Sequence, residues 1–125
     1  MKTRSVTPWG VAVGVLVLST WTLAHHSQSI FDLQNPTNVT GMVTGFEWSN
    51  PHVVIYLDVR NDNGRVEKWL ISSRAPNMLR RIGWNRNTLK PGDRITITGN
   101  RHKQGQPLMY LREIVLPNGE AVNVN

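Results

Sequence analysis

Asn38-Val39-Thr40-Gly41-Met42-Val43-Thr44-Gly45-Phe46-Glu47-Trp48 is the stretch on which the fold turns. Val39, Gly41, Val43 and Gly45 alternate with Thr40, Met42, Thr44 and Phe46, the period of an extended strand. Two glycines four positions apart inside it mark a bulge or a sharp bend. A long strand bent in its middle can pair with different neighbours at its two ends, which helps a small sheet close on itself. Ser49-Asn50-Pro51 then breaks the pattern.

Downstream, His52 to Arg60 reads as a second strand with Val53, Ile55, Leu57 and Val59 on one face. Asn61-Asp62-Asn63-Gly64 is a hairpin turn, and Val66 to Ile71 returns as a third strand. The period then changes. Ser72-Ser73 is placed to cap a short helix, with Pro76 in its first turn and Met78, Leu79 and Ile82 at helical spacing, and Gly83 ends it. After the Leu89-Lys90-Pro91-Gly92-Asp93 turn come a fourth strand (Arg94 to Gly99), a loop (Asn100 to Pro107), a fifth strand (Leu108 to Leu116) and a short tail strand (Ala121 to Val124).

Upstream, Lys2 and Arg4 precede an uncharged stretch, Trp9 to Ala24, whose core Val11 to Leu18 has the length of a signal-peptide h-region. A permanent span needs about 20 apolar residues, so this core is short for one. Thr22-x-Ala24 is a tolerable cleavage pattern, which predicts a signal peptide at 1–24 and a periplasmic or secreted protein; an uncleaved anchor is the alternative. Residues 25–37 then read as an irregular arm, with Phe31 and Leu33 pinned to the domain and Asn35-Pro36 as a turn, and 38–125 as one domain. Strand-strand-strand-helix-strand-strand is the chain order of the five-stranded OB barrel. The expected class is therefore all-β with one short helix, a small OB-like barrel of five or six strands; a six-stranded meander or a small sandwich competes.

Cleavage would remove Lys2 and Arg4, taking the formal net charge from +6 to +4. That balance suits anionic partners, but export argues against nucleic acid. With no cysteine there is neither a disulfide nor a thiol nucleophile. No serine stands in a nucleophile elbow, no glycine-rich phosphate loop occurs, and the eight carboxylates are scattered. The pattern is that of a binding protein rather than an enzyme.

Ala24-His25-His26-Ser27 followed by Phe31-Asp32, Trp48-Ser49-Asn50-Pro51-His52, Pro76-Asn77, Gly83-Trp84 and Leu89-Lys90-Pro91-Gly92-Asp93 together resemble a family of small exported bacterial proteins of unknown function, over most of residues 24 to 120. The resemblance implies export and one small β-domain, and names no chemistry. One departure is that the family often carries a carboxylate shortly after the third-strand tryptophan, whereas here Trp69 precedes Leu70-Ile71-Ser72-Ser73.

The histidines are the candidate centre of chemistry. A chain starting at His25 offers its α-amine and ring as a chelating pair, and a further imidazole from His52 or His26 completes a nitrogen set suited to copper. His52 follows Pro51 at the mouth of the second strand; His102, between Arg101 and Lys103, is the poorer candidate. Against this stand a solvated end for His25 and His26 and a ring bonded to backbone for His52. A different surface offers Trp48, Trp69 and Trp84 as stacking rings and Arg74, Arg80, Arg81, Arg86 and Lys90 around the helix, Arg80 and Arg81 foremost, as contacts for a protein, a glycan or an anionic headgroup, against packing tryptophans and a merely solvated helix face.

Overall fold

The computed structural model describes residues 28–125, so the expected signal segment, His25 and His26 lie outside the described residues. A single 3-10 turn (Gln28–Ile30) leads into six strands and one helix: β1 (Phe31–Glu47), β2 (Val54–Arg60), β3 (Val66–Ser72), α1 (Pro76–Arg80), β4 (Arg94–His102), β5 (Leu108–Val115) and β6 (Ala121–Asn123). Among the described residues no helix is long and apolar enough to cross a membrane.

β1 decides the architecture. At 17 residues it is about 56 Å of extended chain, long enough for two partners. Its first part pairs antiparallel with β4, from Phe31 opposite His102 to Met42 opposite Arg94; its last part pairs antiparallel with β2, from Met42 opposite Asp58 to Glu47 opposite Val54. The handover at Met42 depends on Gly41, because a Cβ there would lie 2.6 Å from the Asp58 carbonyl oxygen. A bulge follows, with Thr44 as the extra residue between Val43 and Gly45. β2 pairs with β3, β4 with β5, and a short parallel register from Leu70 opposite Leu108 to Ser72 opposite Tyr110 joins β3 to β5. The ring β1-β2-β3-β5-β4 is thereby closed, and β6 extends it beyond β5. The molecule is an OB-like barrel, and the closing β3–β5 pairing excludes the meander and the sandwich.

The core follows from strand alternation. Val53, Ile55, Leu57, Val59, Trp69, Ile71, Ile95 and Ile97 face inward with Met109, Leu111 and Ile114. The step of three between Leu111 and Ile114 is a second bulge: Gly99 opposes Leu111 and Thr98 opposes Glu113, leaving Arg112 as the extra residue. Leu79 of α1, Trp84 and Leu89 join this core from the segment between β3 and β4. Trp69 is fixed on both sides, its Nε1 donating to Glu67 Oε2 at 3.1 Å and the Arg101 guanidinium lying 4.8 Å from its ring centre. Arg101 also donates to the Gly105 carbonyl at 2.6 Å, so one cation covers the ring and holds the β4–β5 loop.

Three expectations are corrected. Residues 31–37 are the first part of β1 rather than an irregular arm, and of the two anchors Phe31 is buried while Leu33 is 51% exposed. The Asn35-Pro36 turn signal is local: Asp32 Oδ1 accepts the Gln34 and Asn35 amides, its Oδ2 accepts Asn35 Nδ2, and the β4 register slips there without ending the strand. These bonds, that from the Asn35 side chain first, hold the Asp32 carboxyl below its ordinary range. Ser72 and Ser73 do not cap α1; Ser72 closes β3, Ser73 is buried, and Ala75 is the N-cap with no side-chain cap bond. Pro76 does open the helix, but of the helical apolar series only Leu79 is buried, since α1 is a single short turn.

Two outcomes follow from these contacts. Gly99→Ala places a methyl against the Tyr110 carbonyl and within 2.6 Å of Met109 Cγ, and overpacking of that kind costs about 2 kcal/mol, read as a lower urea midpoint at unchanged slope. The Glu67 carboxyl is held below its ordinary range by hydrogen bonds from Asn61 and then Trp69. A carboxyl depressed in the folded state adds stability above its unfolded value, near 4.3, and loses it as pH falls through the depressed value. Glu67→Gln therefore melts below wild type at neutral pH, and the gap narrows as the pH is taken down from about 5.

Candidate functional site

The loop between β1 and β2, Trp48 to Val53, leaves the barrel beside the end of β3. It contains a cis Asn50-Pro51 peptide. Val53 ties it to the chain entering α1: its amide donates to the Arg74 carbonyl at 3.0 Å, and its carbonyl accepts the Ser73 amide at 2.9 Å. The His52 ring adds a third link, with Nδ1 2.9 Å from the Ser73 carbonyl oxygen. A carbonyl only accepts, so Nδ1 carries the proton in this contact, and Nε2 of the neutral ring keeps its lone pair. The Ser73 hydroxyl is buried without a hydrogen-bond partner beside this contact.

His52 forms part of the wall of a groove of about 380 Å³. Phe31, Pro51, Val54, Leu70 and Leu108 give it an apolar lining, with Glu47, Ser49, Asn50 and Ser72 as polar neighbours. Strand order explains the convergence: Val54, Leu70 and Ser72 lie on the outer face of β2 and β3, Leu108 is opposite Leu70, and Phe31 arrives on β1. Glu47 is the one carboxylate of the lining; it accepts the Ser49 hydroxyl at 3.0 Å and the Tyr56 hydroxyl at 3.2 Å. Desolvation first, and then Glu47, push the Tyr56 phenol up. Tyr56 and Leu70 carry the surface on into a smaller hollow of about 240 Å³ that also includes Lys68. A larger hollow, about 610 Å³ beside Gly41 and Arg94, contains no histidine.

His102 differs in chemistry from His52. Standing opposite Phe31 at the end of β4, its Nδ1 lies 3.1 Å from the Gln104 amide, which only donates. Nδ1 is thus the acceptor, and the remaining proton of the neutral ring sits on Nε2. Of these two rings, only His52 keeps an unshared nitrogen pair. Among the described residues no group of three or more His, Asp or Glu is placed to hold a metal ion.

On the other candidate surface, Trp48 is half-buried and its ring lies 5.9 Å from the Arg80 guanidinium and 5.9 Å from the Phe46 ring. Phe46 in turn meets Trp84 edge-on at 6.4 Å. Trp84 is only 4% exposed, which corrects its reading as a stacking ring: it packs in the core. Arg80 and Arg81 are both exposed. Phe31, Leu70 and Leu108 were not foreseen as groove residues. Leu70 is a leucine between inward-facing Trp69 and Ile71, a signal that the outer face carries apolar surface; Leu108, at the start of β5, gives no such signal.

The fold has counterparts among solved structures. The ZRD-deleted mutant of TiaS, solved in complex with agmatine, is 17% identical with a TM-score of 0.50, over 72% of this chain and 26% of that one. The mitochondrial single-stranded DNA-binding protein Rim1 of S. cerevisiae is 6% identical with a TM-score of 0.49, over 73% of this chain and 96% of that one. At such identities the likeness concerns the fold alone. No curated protein matches the chain at a significant level. Residues 12–109 match the model of the Family of unknown function (DUF6152), and the chain, with its closed β-ring and its histidine-walled groove, belongs to that family.

Proposed function

We propose that the exported chain, cut after Ala24, is a periplasmic binding protein for a transition metal, copper first. The α-amine and ring of His25 form the chelate, His52 Nε2 completes it, and His26 ligates or fixes the arm. The observation that carries this reading is the His52–Ser73 contact. A metal-binding histidine commonly donates its other ring N–H to a backbone carbonyl, which fixes its tautomer and orientation. Chain length supports it too. Five residues stand between His25 and Phe31, and with Gln28 to Ile30 in a 3-10 turn they reach up to about 16 Å, while Phe31 shares the groove with His52. Nitrogen donors of this kind favour Cu(II) over the other divalent first-row ions.

A second reading is an interaction module for a protein, a glycan or an anionic headgroup, with no metal. The apolar groove favours it, since it lies on the strand 2–3 face with which OB barrels take up ligands, an analogy of fold only.

Titration with Cu(II) separates the readings. The chain beginning at His25 binds tightly, whereas a chain with a glycine added before His25, or His52→Ala, binds at least about tenfold more weakly, some 1.4 kcal/mol. Binding falls steeply from about pH 7 to pH 5 as protons compete for the α-amine and ring of His25. Equal affinity in all three proteins excludes the metal reading, and intact mass spectrometry of the exported protein reports its true first residue.

A further inference from the structure

α1 and its flanks carry a charge pattern that the groove does not use. From Ser72 to Gly92 the sequence holds Arg74, Arg80, Arg81, Arg86 and Lys90 and no carboxylate. The ion pair found among the described residues joins Lys68 to Asp58, on β3 and β2, so no carboxylate neutralises Arg80 or Arg81. Beside these two exposed arginines stand two exposed apolar side chains, Met78 on α1 (39%) and Ile82 in the turn just past its end (44%). Leu79 is turned the other way, into the core. Trp48, half-buried beneath the Arg80 guanidinium, borders the same patch, and its contact with Phe46 anchors it to the barrel.

A soluble anion would have no use for Met78 and Ile82, and an apolar protein partner would have to desolvate two unpaired arginines. An anionic bilayer accepts both kinds of group at once. Aliphatic side chains enter the headgroup boundary, a tryptophan sits at its level, and arginines pair with lipid phosphates. We propose that the surface formed by Trp48, Met78, Arg80, Arg81 and Ile82 docks the domain on a membrane rich in anionic phospholipid. The proposal rests on the metal-free reading above, names its anionic headgroup, and depends neither on cleavage after Ala24 nor on a metal.

The test uses the full chain and vesicles of phosphatidylcholine, alone or mixed with phosphatidylglycerol. The quantity read is the gain in binding from the anionic lipid over phosphatidylcholine alone, so that a contribution common to both vesicles cancels. Each arginine near such a surface contributes about fivefold, so Arg80→Gln with Arg81→Gln lowers the gain about 25-fold. Met78→Gln with Ile82→Gln lowers binding severalfold and leaves its salt dependence unchanged. Arg65→Gln with Lys103→Gln, which removes two exposed cations from the β2–β3 and β4–β5 hairpins, leaves the gain within about twofold. All these side chains are exposed, so the variants melt with the wild type. The proposal is overturned if anionic lipid gives no gain, if the hairpin pair costs as much as the α1 pair, or if a soluble anionic glycan binds the chain while vesicles do not.

Discussion

One strand must serve two neighbours, and the rest of the molecule is arranged by how β1 does so. At Met42 the chain stops pairing with β4 and continues with β2, and Gly41 allows the Asp58 carbonyl to come closer than any Cβ would permit. From that handover the ring closes, the inward rows of Val, Ile and Leu meet, and Trp84 and Leu89 fill in between β3 and β4. The same event sets the place of the 48–53 loop, which begins where β1 runs out of partner. His52 thus stands where it does because of backbone pairing decided several residues earlier.

Most of the barrel was legible in the sequence, and the parts that were not have physical reasons. The glycine-bent first strand, the Asn-Gly hairpin and the strand-helix-strand order rest on local chemistry, which a linear reading captures. Residues 31–37 misled because Asp32, Asn35 and Pro36 do form a local turn, which the strand absorbs as a register slip. The change of phase at Arg112 lay beyond strict alternation, since an extra residue shows only against the opposite strand. The groove was least legible. Phe31, Val54, Leu70 and Leu108 come from four strands, and only closure makes them neighbours. The contrast between His52 and His102 was equally hidden, being set by a carbonyl on one ring and an amide on the other.

The two candidate surfaces are chemically separate. The groove is apolar with a single carboxylate, already engaged by Ser49 and Tyr56, and one imidazole nitrogen to offer. The α1 surface is cationic and has no acid to quench it. They meet through the 48–53 loop, which supplies Trp48 to one and His52 to the other, with Val53 bonded in both directions to residues 73 and 74.

The parallel seam between β3 and β5 has a kinetic meaning. Its three register pairs join residues 38 apart, from Leu70 with Leu108 to Ser72 with Tyr110, while the β2–β3 hairpin pairs close neighbours. Loop-closure entropy must be met before such contacts repay it, and the β1–β4 pairs, 52 to 71 residues apart, ask for more still, so both pairings that close the ring follow the local hairpin. Leu70 and Leu108 are both seam residues and groove residues, so the groove comes into being when the ring shuts. Whatever fills it acts as a clasp: an occupant at a hundred times its dissociation constant holds the closed ring by about 2.7 kcal/mol more than the empty protein.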